Sequence, residues 1–240
     1  MCSGRVDMTH VLRAFSNGMD GVFIGGCHLN ECNYITHGNF HALTMVLLLK
    51  KIMQHIGLNP ERLQIRFMSG AEANVFTESV NDFVKNIKKI GPLGRGQNEE
   101  PDRNELDSRL SEISKLVPYI KVEKREKLGT RLENPEEYDS FFTEDEINKL
   151  LTEVTSYYID PEKCRACMTC ARRCPVDAII SVKSQVHVVD QDKCIKCGTC
   201  FEACPPKFGA VTKISGKPVP PPLPEGKRAI VKMNKEEKAS

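Results

Sequence analysis

The sequence carries no strong charge of either sign. Its 240 residues have a formal net charge of +2 with 28 % charged residues, so no dominant field points to nucleic acid or an acidic surface. It also lacks an apolar run of bilayer length: the longest, Ala42 to Leu49, falls far short of the ~20 residues a span requires and reads as a buried helix. No leader of charged, apolar and small-residue regions is visible. There is no Gly-x-Gly-x-x-Gly fingerprint, no Walker loop and no nucleophile elbow, so nothing has the form of a dinucleotide, nucleoside-triphosphate or acyl-transfer site. The expected partners therefore include neither nucleic acid nor a membrane span.

What the chain has instead is cysteine. Of eleven, eight fall between Asp160 and Pro206 in two copies of one spacing. Cys164, Cys167, Cys170 and Cys174 read C-x2-C-x2-C-x3-C with Pro175 behind, and Cys194, Cys197, Cys200 and Cys204 repeat the run thirty residues on, with Pro205 behind. Three thiolates at this pitch can wrap one cubane iron–sulfur cluster, while the fourth, followed by proline, serves the other. The expected ligand sets are Cys164, Cys167, Cys170 and Cys204 for a first [4Fe-4S] cluster, and Cys194, Cys197, Cys200 and Cys174 for a second. Structural zinc prefers separated CxxC pairs and has no use for a third cysteine at the same pitch. Metal-ligand spacing without a leader points to a reducing cytoplasm and an oxygen-sensitive protein rather than to secreted disulfides.

The rest of the chain alternates helix and strand. Asp7 to Asn17 has a helical pattern with Val11, Leu12 and Phe15 on one face, and Gly21 to Cys27 reads as a short buried strand. A helix with little polar face follows from Asn39, read as its cap, to Gly57; Leu63 to Met68 is a second strand and Ala71 to Ile90 a further helix. This alternation predicts parallel strands in a partial doubly wound α/β module. Two strands do not complete such a sheet, and the all-round apolar helix calls for sheet on both sides. The expectation is an N-terminal truncation. Residues 93–100 have the composition of a hinge. A helix from Arg103 is expected to close at Pro118, and Thr143 to Glu146 forms a capping box for another. Lys121 to Lys127 reads as a solvated face, and the proline-rich stretch Pro218 to Pro224 as an extended segment lying over a surface. The fold class is thus α/β plus α+β: an incomplete α/β module over 1–94, a helical connector over 95–157, a two-cluster ferredoxin domain over 158–216 and a tail over 217–240.

Tyr158 to Gly216 resembles the bacterial two-cluster ferredoxin, which implies that Ala178, Ile179, Ile180, Ala210 and Val211 pack over the clusters. A second resemblance lies earlier. Met1-Cys2-Ser3-Gly4-Arg5-Val6-Asp7, the strand with Gly25-Gly26-Cys27-His28, Cys32-Asn33-Tyr34, and Arg66-Phe67-Met68-Ser69-Gly70-Ala71-Glu72 are similar to the delta subunit family of methyl-viologen-reducing hydrogenase, over about Met1 to Gly94. That family implies a [2Fe-2S] cluster, with Cys2, Cys27 and Cys32 matching family cysteines, and electron flow between a hydrogenase, formate dehydrogenase or NADH dehydrogenase module and the flavin subunit of heterodisulfide reductase. The family pattern also carries a strand and a CxxC segment ahead of Cys-Ser-Gly, which agrees with the expected truncation. Cys27 would lie beyond the carboxyl end of its strand, where ligands gather in open parallel sheets. His28, His37 and His41 flank the same loop as candidate ligands or hydrogen-bond donors. The leading expectation is a non-catalytic electron-relay subunit; a soluble ferredoxin-like carrier whose N-terminal module only docks partners is the alternative. A redox-sensing regulator is disfavoured, since no helix-turn-helix or strongly basic domain is recognisable.

Overall fold

The computed structural model describes residues 2–34 and 37–230; Met1 of the opening motif and residues 231–240 of the charged tail lie outside that description. The chain divides into two compact units, residues 1–151 and 152–240.

In the first unit a 3₁₀ turn (Ser3–Arg5) leads into α1 (Met8–Ser16). Asp7 starts that helix: its carboxylate accepts from the Thr9 amide at 3.0 Å, and His10 Nδ1 accepts from the Asp7 amide at 3.3 Å, satisfying otherwise orphaned N–H groups. Met8, Val11, Leu12 and Phe15, spaced along one face, are buried. Strands β1 (Val22–Gly26) and β2 (Leu63–Phe67) pair in parallel, from Val22 opposite Leu63 to Gly26 opposite Phe67. A parallel pair needs a long crossover, and α2 (Asn39–His55) supplies it. Among the described residues this sheet has two strands. Helices α3 (Ala73–Ile90), α4 (Arg103–Glu123), α5 (Arg125–Leu128), α6 (Tyr138–Phe141) and α7 (Glu144–Thr152) follow.

The apolar α2 is covered differently from the expectation of sheet on both sides. It packs against β2 and α1, and its remaining surface is met by α5 and α6 from the segment read as a connector. Thr44 Oγ1 donates to the Leu128 carbonyl at 2.9 Å, tying the two together inside the core.

Helix α4 does not close at Pro118 but runs through it to Glu123. Leu106, Leu110, Ile113, Val117 and Ile120 keep the buried stripe going past the proline, and burial of Ile120 offsets the hydrogen bond that proline cannot donate. The stretch from Lys121 to Lys127 is largely solvated, as expected, but its lysines are paired. Lys121 pairs with Asp7 at 2.5 Å, while Lys124 and Lys127 meet Glu146 at 2.5 and 2.7 Å. Glu146 therefore completes only half of the expected capping box: its amide donates to Thr143 Oγ1 at 3.2 Å, but its carboxylate is taken by the lysines.

Residues 93–100 are anchored rather than hinge-like. Glu99, its side chain 1 % exposed, meets Arg62, 0 % exposed, and accepts from the Gly94 and Gly96 amides at 3.0 Å each. Arg62 also donates to the carbonyls of Asp20 and Pro92. Both charges are out of water, and nearly every lone pair and N–H is used, which is the condition under which such a pair is tolerated.

The second unit is built from two small antiparallel sheets. β3 (Ser156–Ile159) pairs with β6 (Val211–Ile214), and β4 (Ile179–Ile180) with β5 (Val188–Val189). Short helices α8 (Thr169–Arg173) and α9 (Thr199–Ala203) follow the cysteine loops. The sequence repeat is a structural repeat. The Asp160 amide donates to Ala210 and the Asp190 amide to Ala178, at 2.7 and 2.8 Å; Cys164 and Cys194 each donate back to those aspartates at 3.0 Å. Each half thus borrows its closing strand from the other. The proline-rich stretch runs over this unit: Val219, Pro220, Pro222 and Leu223 face Val186 to Gln191, and the Val186 amide donates to the Arg228 carbonyl at 2.7 Å. Among the described residues no helix is long and apolar enough to cross a membrane.

Candidate metal centres

In the first unit the ends of β1 and β2 open into a cavity of about 660 Å³ whose lining includes Cys2, Cys27, Cys32, Met68, Ser69 and Glu72. Cys2 lies far in sequence from Cys27 and Cys32, which are five residues apart, and two glycines allow them to meet. A Cβ on Gly38 would lie 2.5 Å from Cys32 Sγ and closer still to the Tyr34 carbonyl oxygen; a Cβ on Gly4 would collide with the His37 carbonyl oxygen. With hydrogen at both positions, Cys2 Sγ and Cys32 Sγ approach to 3.5 Å, and Cys27 lines the same cavity. Burial pushes the Cys27 thiol pKa up, and the neighbouring Cys32 adds to it. At Cys32 burial acts in the same sense, but hydrogen bonds at the backbone of Tyr34 and Asn39 and from the two neighbouring thiols outweigh it and bring the pKa below the ordinary thiol value.

Asn39 does not cap α2 as read from the sequence; Gly38 occupies that position. The buried Asn39 amide instead donates to the carbonyls of Cys27 and His28 at 3.1 and 2.6 Å and reaches Cys27 Sγ at 3.6 Å, so it fixes the cysteine loop. His28 Nε2 contacts Glu72 at 2.6 Å, and His37 stacks loosely on His41, whose pKa is lowered by burial.

In the second unit the eight cysteines sort into two rings. Cys164, Cys167, Cys170 and Cys204 line one cavity, and Cys194, Cys197, Cys200 and Cys174 line another. The chain achieves this with tight left-handed turns ahead of each short helix: Met168 has φ 64° and its counterpart Gly198 φ 80°. None of the eight is in a disulfide. Burial, then the neighbouring Cys164, pushes Cys170 up to about 11; burial, then Cys194, pushes Cys200 up to about 12. Thiolates crowded in this way need compensating positive charge, which a bound metal centre provides. Backbone N–H groups already point at sulfur, from Ala178 to Cys174 at 3.2 Å and from Lys196 to Cys194 at 3.4 Å. Ala210, Val211, Ile179 and Ala178 are buried over the cavities, as the ferredoxin resemblance implied for them, whereas Ile180 is 44 % exposed.

Among the described residues no three His, Cys, Asp or Glu side chains converge tightly enough to hold a single metal ion. Four thiols gathered from C-x2-C-x2-C-x3-C loops suit polynuclear iron–sulfur groups rather than zinc. The fold and donor set of the second unit therefore define an iron–sulfur protein of ferredoxin type.

Comparison with known proteins agrees and adds the first unit. Residues 156–206 match the family described as 4Fe-4S dicluster domain, and residues 1–91 match the methyl-viologen-reducing hydrogenase, delta subunit. An iron-sulfur subunit of the vhu F420-non-reducing hydrogenase of Methanococcus maripaludis is 46% identical over 91 residues, 38% of this chain and 67% of that protein. The protein of the same description from Methanopyrus kandleri is 39% identical over 92 residues, 38% of this chain and 69% of that protein. A subunit of the ferredoxin/F(420)H(2)-dependent CoB-CoM heterodisulfide reductase of Methanosarcina acetivorans is 46% identical over 94 residues, covering 39% of this chain but only 12% of that much longer protein. The chain belongs to the methyl-viologen-reducing hydrogenase delta subunit family and carries an iron–sulfur dicluster domain in addition.

Proposed function

We propose that this chain is an iron–sulfur electron-transfer subunit, relaying electrons between a donor oxidoreductase and a heterodisulfide-reductase-like flavoprotein in the cytoplasm. The donor would be a hydrogenase, formate dehydrogenase or NADH dehydrogenase module. The observation that carries the reading is the sorting of eight cysteines into two four-thiol rings, with Cys174 and Cys204 exchanged between the halves. On this reading Cys164, Cys167, Cys170 and Cys204 hold one [4Fe-4S] cluster and Cys194, Cys197, Cys200 and Cys174 the other. Such clusters, when bound, supply one-electron transfer at potentials tuned by burial and by hydrogen bonds to sulfur.

The protein's own part is to hold the ligands, exclude water and fix distances. Exchanging Cys174 and Cys204 ties both sites into one small core, and Ala178, Ile179, Ala210 and Val211 keep it dry. Cys2, Cys27 and Cys32 are proposed as ligands of a third, [2Fe-2S] centre, with β1 and β2 as part of a doubly wound sheet. Tyr34 and Phe76, 64% and 51% exposed at that cavity, supply an apolar contact for another protein of the complex.

The relatives are described as iron-sulfur subunits of hydrogenases and as components of heterodisulfide reductase, which supports these partners. The test is iron and acid-labile sulfide content under anaerobic conditions with EPR of the reduced protein. About ten iron atoms, with a [2Fe-2S] signal lost on Cys27→Ser, is the expected result; about eight, with two cubane signals alone, would make the chain a two-cluster carrier with a docking module. Fewer than about eight would overturn the dicluster assignment.

A further inference from the structure

The repeat of the second unit is broken at one chemically important place. Thirty residues separate each cysteine from its counterpart, and the same offset relates Tyr157 to His187. Both side chains are buried, 4% and 1% exposed, and each lines one four-thiol cavity: His187 with Cys164, Cys167, Cys170 and Cys204, and Tyr157 with the other set. His187 Nδ1 lies 3.3 Å from Cys170 Sγ. Tyr157 brings a phenol rather than an imidazole to its own half, its hydroxyl packing where a Cβ on Gly198 would come within 2.7 Å.

A ligating cysteine sulfur is a thiolate and can only accept a hydrogen bond, so the contact requires the proton of the neutral imidazole to sit on Nδ1. That assignment also explains the other nitrogen. His187 Nε2 is buried without a hydrogen-bond partner among the described residues. A bare acceptor there is more easily tolerated than an N–H with nothing to donate to. Its surroundings are dry because the proline-rich stretch closes over them: His187 lines a small void together with Val219, Pro220, Pro222 and Leu223.

Resting on the two-cluster reading, we propose that His187 is a positioning residue whose Nδ1–H bond to Cys170 Sγ raises the reduction potential of the first cluster above the value that cluster would have without it. A hydrogen bond to a ligating sulfur stabilises the more negative, reduced state more than the oxidised one, so the bond makes the ring of Cys164, Cys167, Cys170 and Cys204 a better seat for an arriving electron than it would be without His187. The proline-rich cover strengthens the effect by keeping water from competing for the sulfur.

The experiment is an EPR-monitored redox titration of the full chain carrying its clusters, in wild type, His187→Phe and His187→Gln, with iron content measured on each. In His187→Phe, one cluster's reduction equilibrium should shift about tenfold toward oxidised, about 59 mV for a one-electron couple, while the other stays put. His187→Gln retains an N–H donor and should recover much of that shift. Protein labelled with ¹⁵N-histidine should also show a nitrogen hyperfine coupling on one cluster that disappears in both variants. Unchanged potentials in His187→Phe at full iron content would overturn the proposal, and so would equal shifts in Phe and Gln variants, which would indicate packing alone. If His187→Phe fails to take up iron, the wild-type coupling decides, and its absence counts against the proposal. A wild-type iron content below about eight would instead sink the two-cluster reading beneath it.

Discussion

The two units solve one problem, gathering thiols around a void, in opposite ways. In the second unit the work is local: each ring takes three of its four sulfurs from one seven-residue loop, and the same amide-to-aspartate bonds at 3.0 Å start both loops. In the first unit Cys2, Cys27 and Cys32 arrive from a turn, the end of β1 and the following loop, and they meet because Gly4 and Gly38 let backbones pass closely. A site written into local spacing tolerates change in the scaffold around it. One assembled from separate segments depends on everything that sets those segments in place.

The sharpest way to break that comparison is to weaken the first unit's scaffold far from any cysteine. Arg62→Met leaves Glu99 as a buried carboxylate whose main cationic partner is gone, and removal of one member of such a pair costs about 3–5 kcal/mol. Thermal unfolding followed by far-ultraviolet circular dichroism should lose the first unit's transition to lower temperature, while visible cluster absorbance from the second persists. Joint loss of both signals would mean that the units are not separable in stability. Next in size is Gly38→Ala. The added methyl must displace either the Tyr34 carbonyl or Cys32 Sγ, and forcing extra volume into a packed site costs about 1–3 kcal/mol. Cys27 and Cys32 should become more reactive to a thiol reagent in the cluster-free protein, with the cysteines of the second unit unaffected.

A smaller effect tests how the segment after residue 94 is held. Burial opposes ionisation of Glu146, but the hydrogen bonds from Lys124 and Lys127 outweigh it and hold its pKa below the ordinary value of 4.5. The folded state thus binds the proton less tightly than the unfolded chain. The stabilisation is fully present above pH 4.5 and is lost as pH falls through the lower folded value. Because the lysines are partly exposed, the contribution is about 1 kcal/mol. Glu146→Gln should flatten that part of the first unit's acid-unfolding curve; an unchanged acid limb would remove Glu146 from the account.

These tests also mark what the sequence can and cannot disclose. Cysteine spacing points to both rings because their geometry is local, and the helix after Asp7 and the strands β1 and β2 follow from period in the same way. Glu99 is hidden in a stretch of hinge-like composition, since its partner Arg62 lies far back in the chain and no local pattern links them. Asn39 reads as a helix cap because that is the usual role of asparagine ahead of an apolar run, whereas Gly38 takes the cap and frees the amide for the Cys27 loop. Pro118 reads as a stop, and only the burial of Ile120 beyond it accounts for the continued helix. For the thiol group of the first unit, the strand end points to Cys27, and the family resemblance adds the match of Cys2 and Cys32 to family cysteines.

The smallest prediction lies inside the repeat and sharpens its asymmetry. Met168 and Gly198 occupy equivalent positions ahead of α8 and α9, both with positive φ, 64° and 80°. Glycine adopts that region freely, but a methionine there places Cβ against the following carbonyl, a strain of about 1–2 kcal/mol. Met168→Gly relieves it at the expense of greater freedom in the unfolded chain, for a net gain of about 0.5–1 kcal/mol. The measurable consequence is slower loss of visible absorbance in denaturant, arising at the first ring alone. A loss of stability would mean that the Met168 side chain makes contacts worth more than its backbone strain, and that this half of the repeat is held by packing where the other relies on glycine.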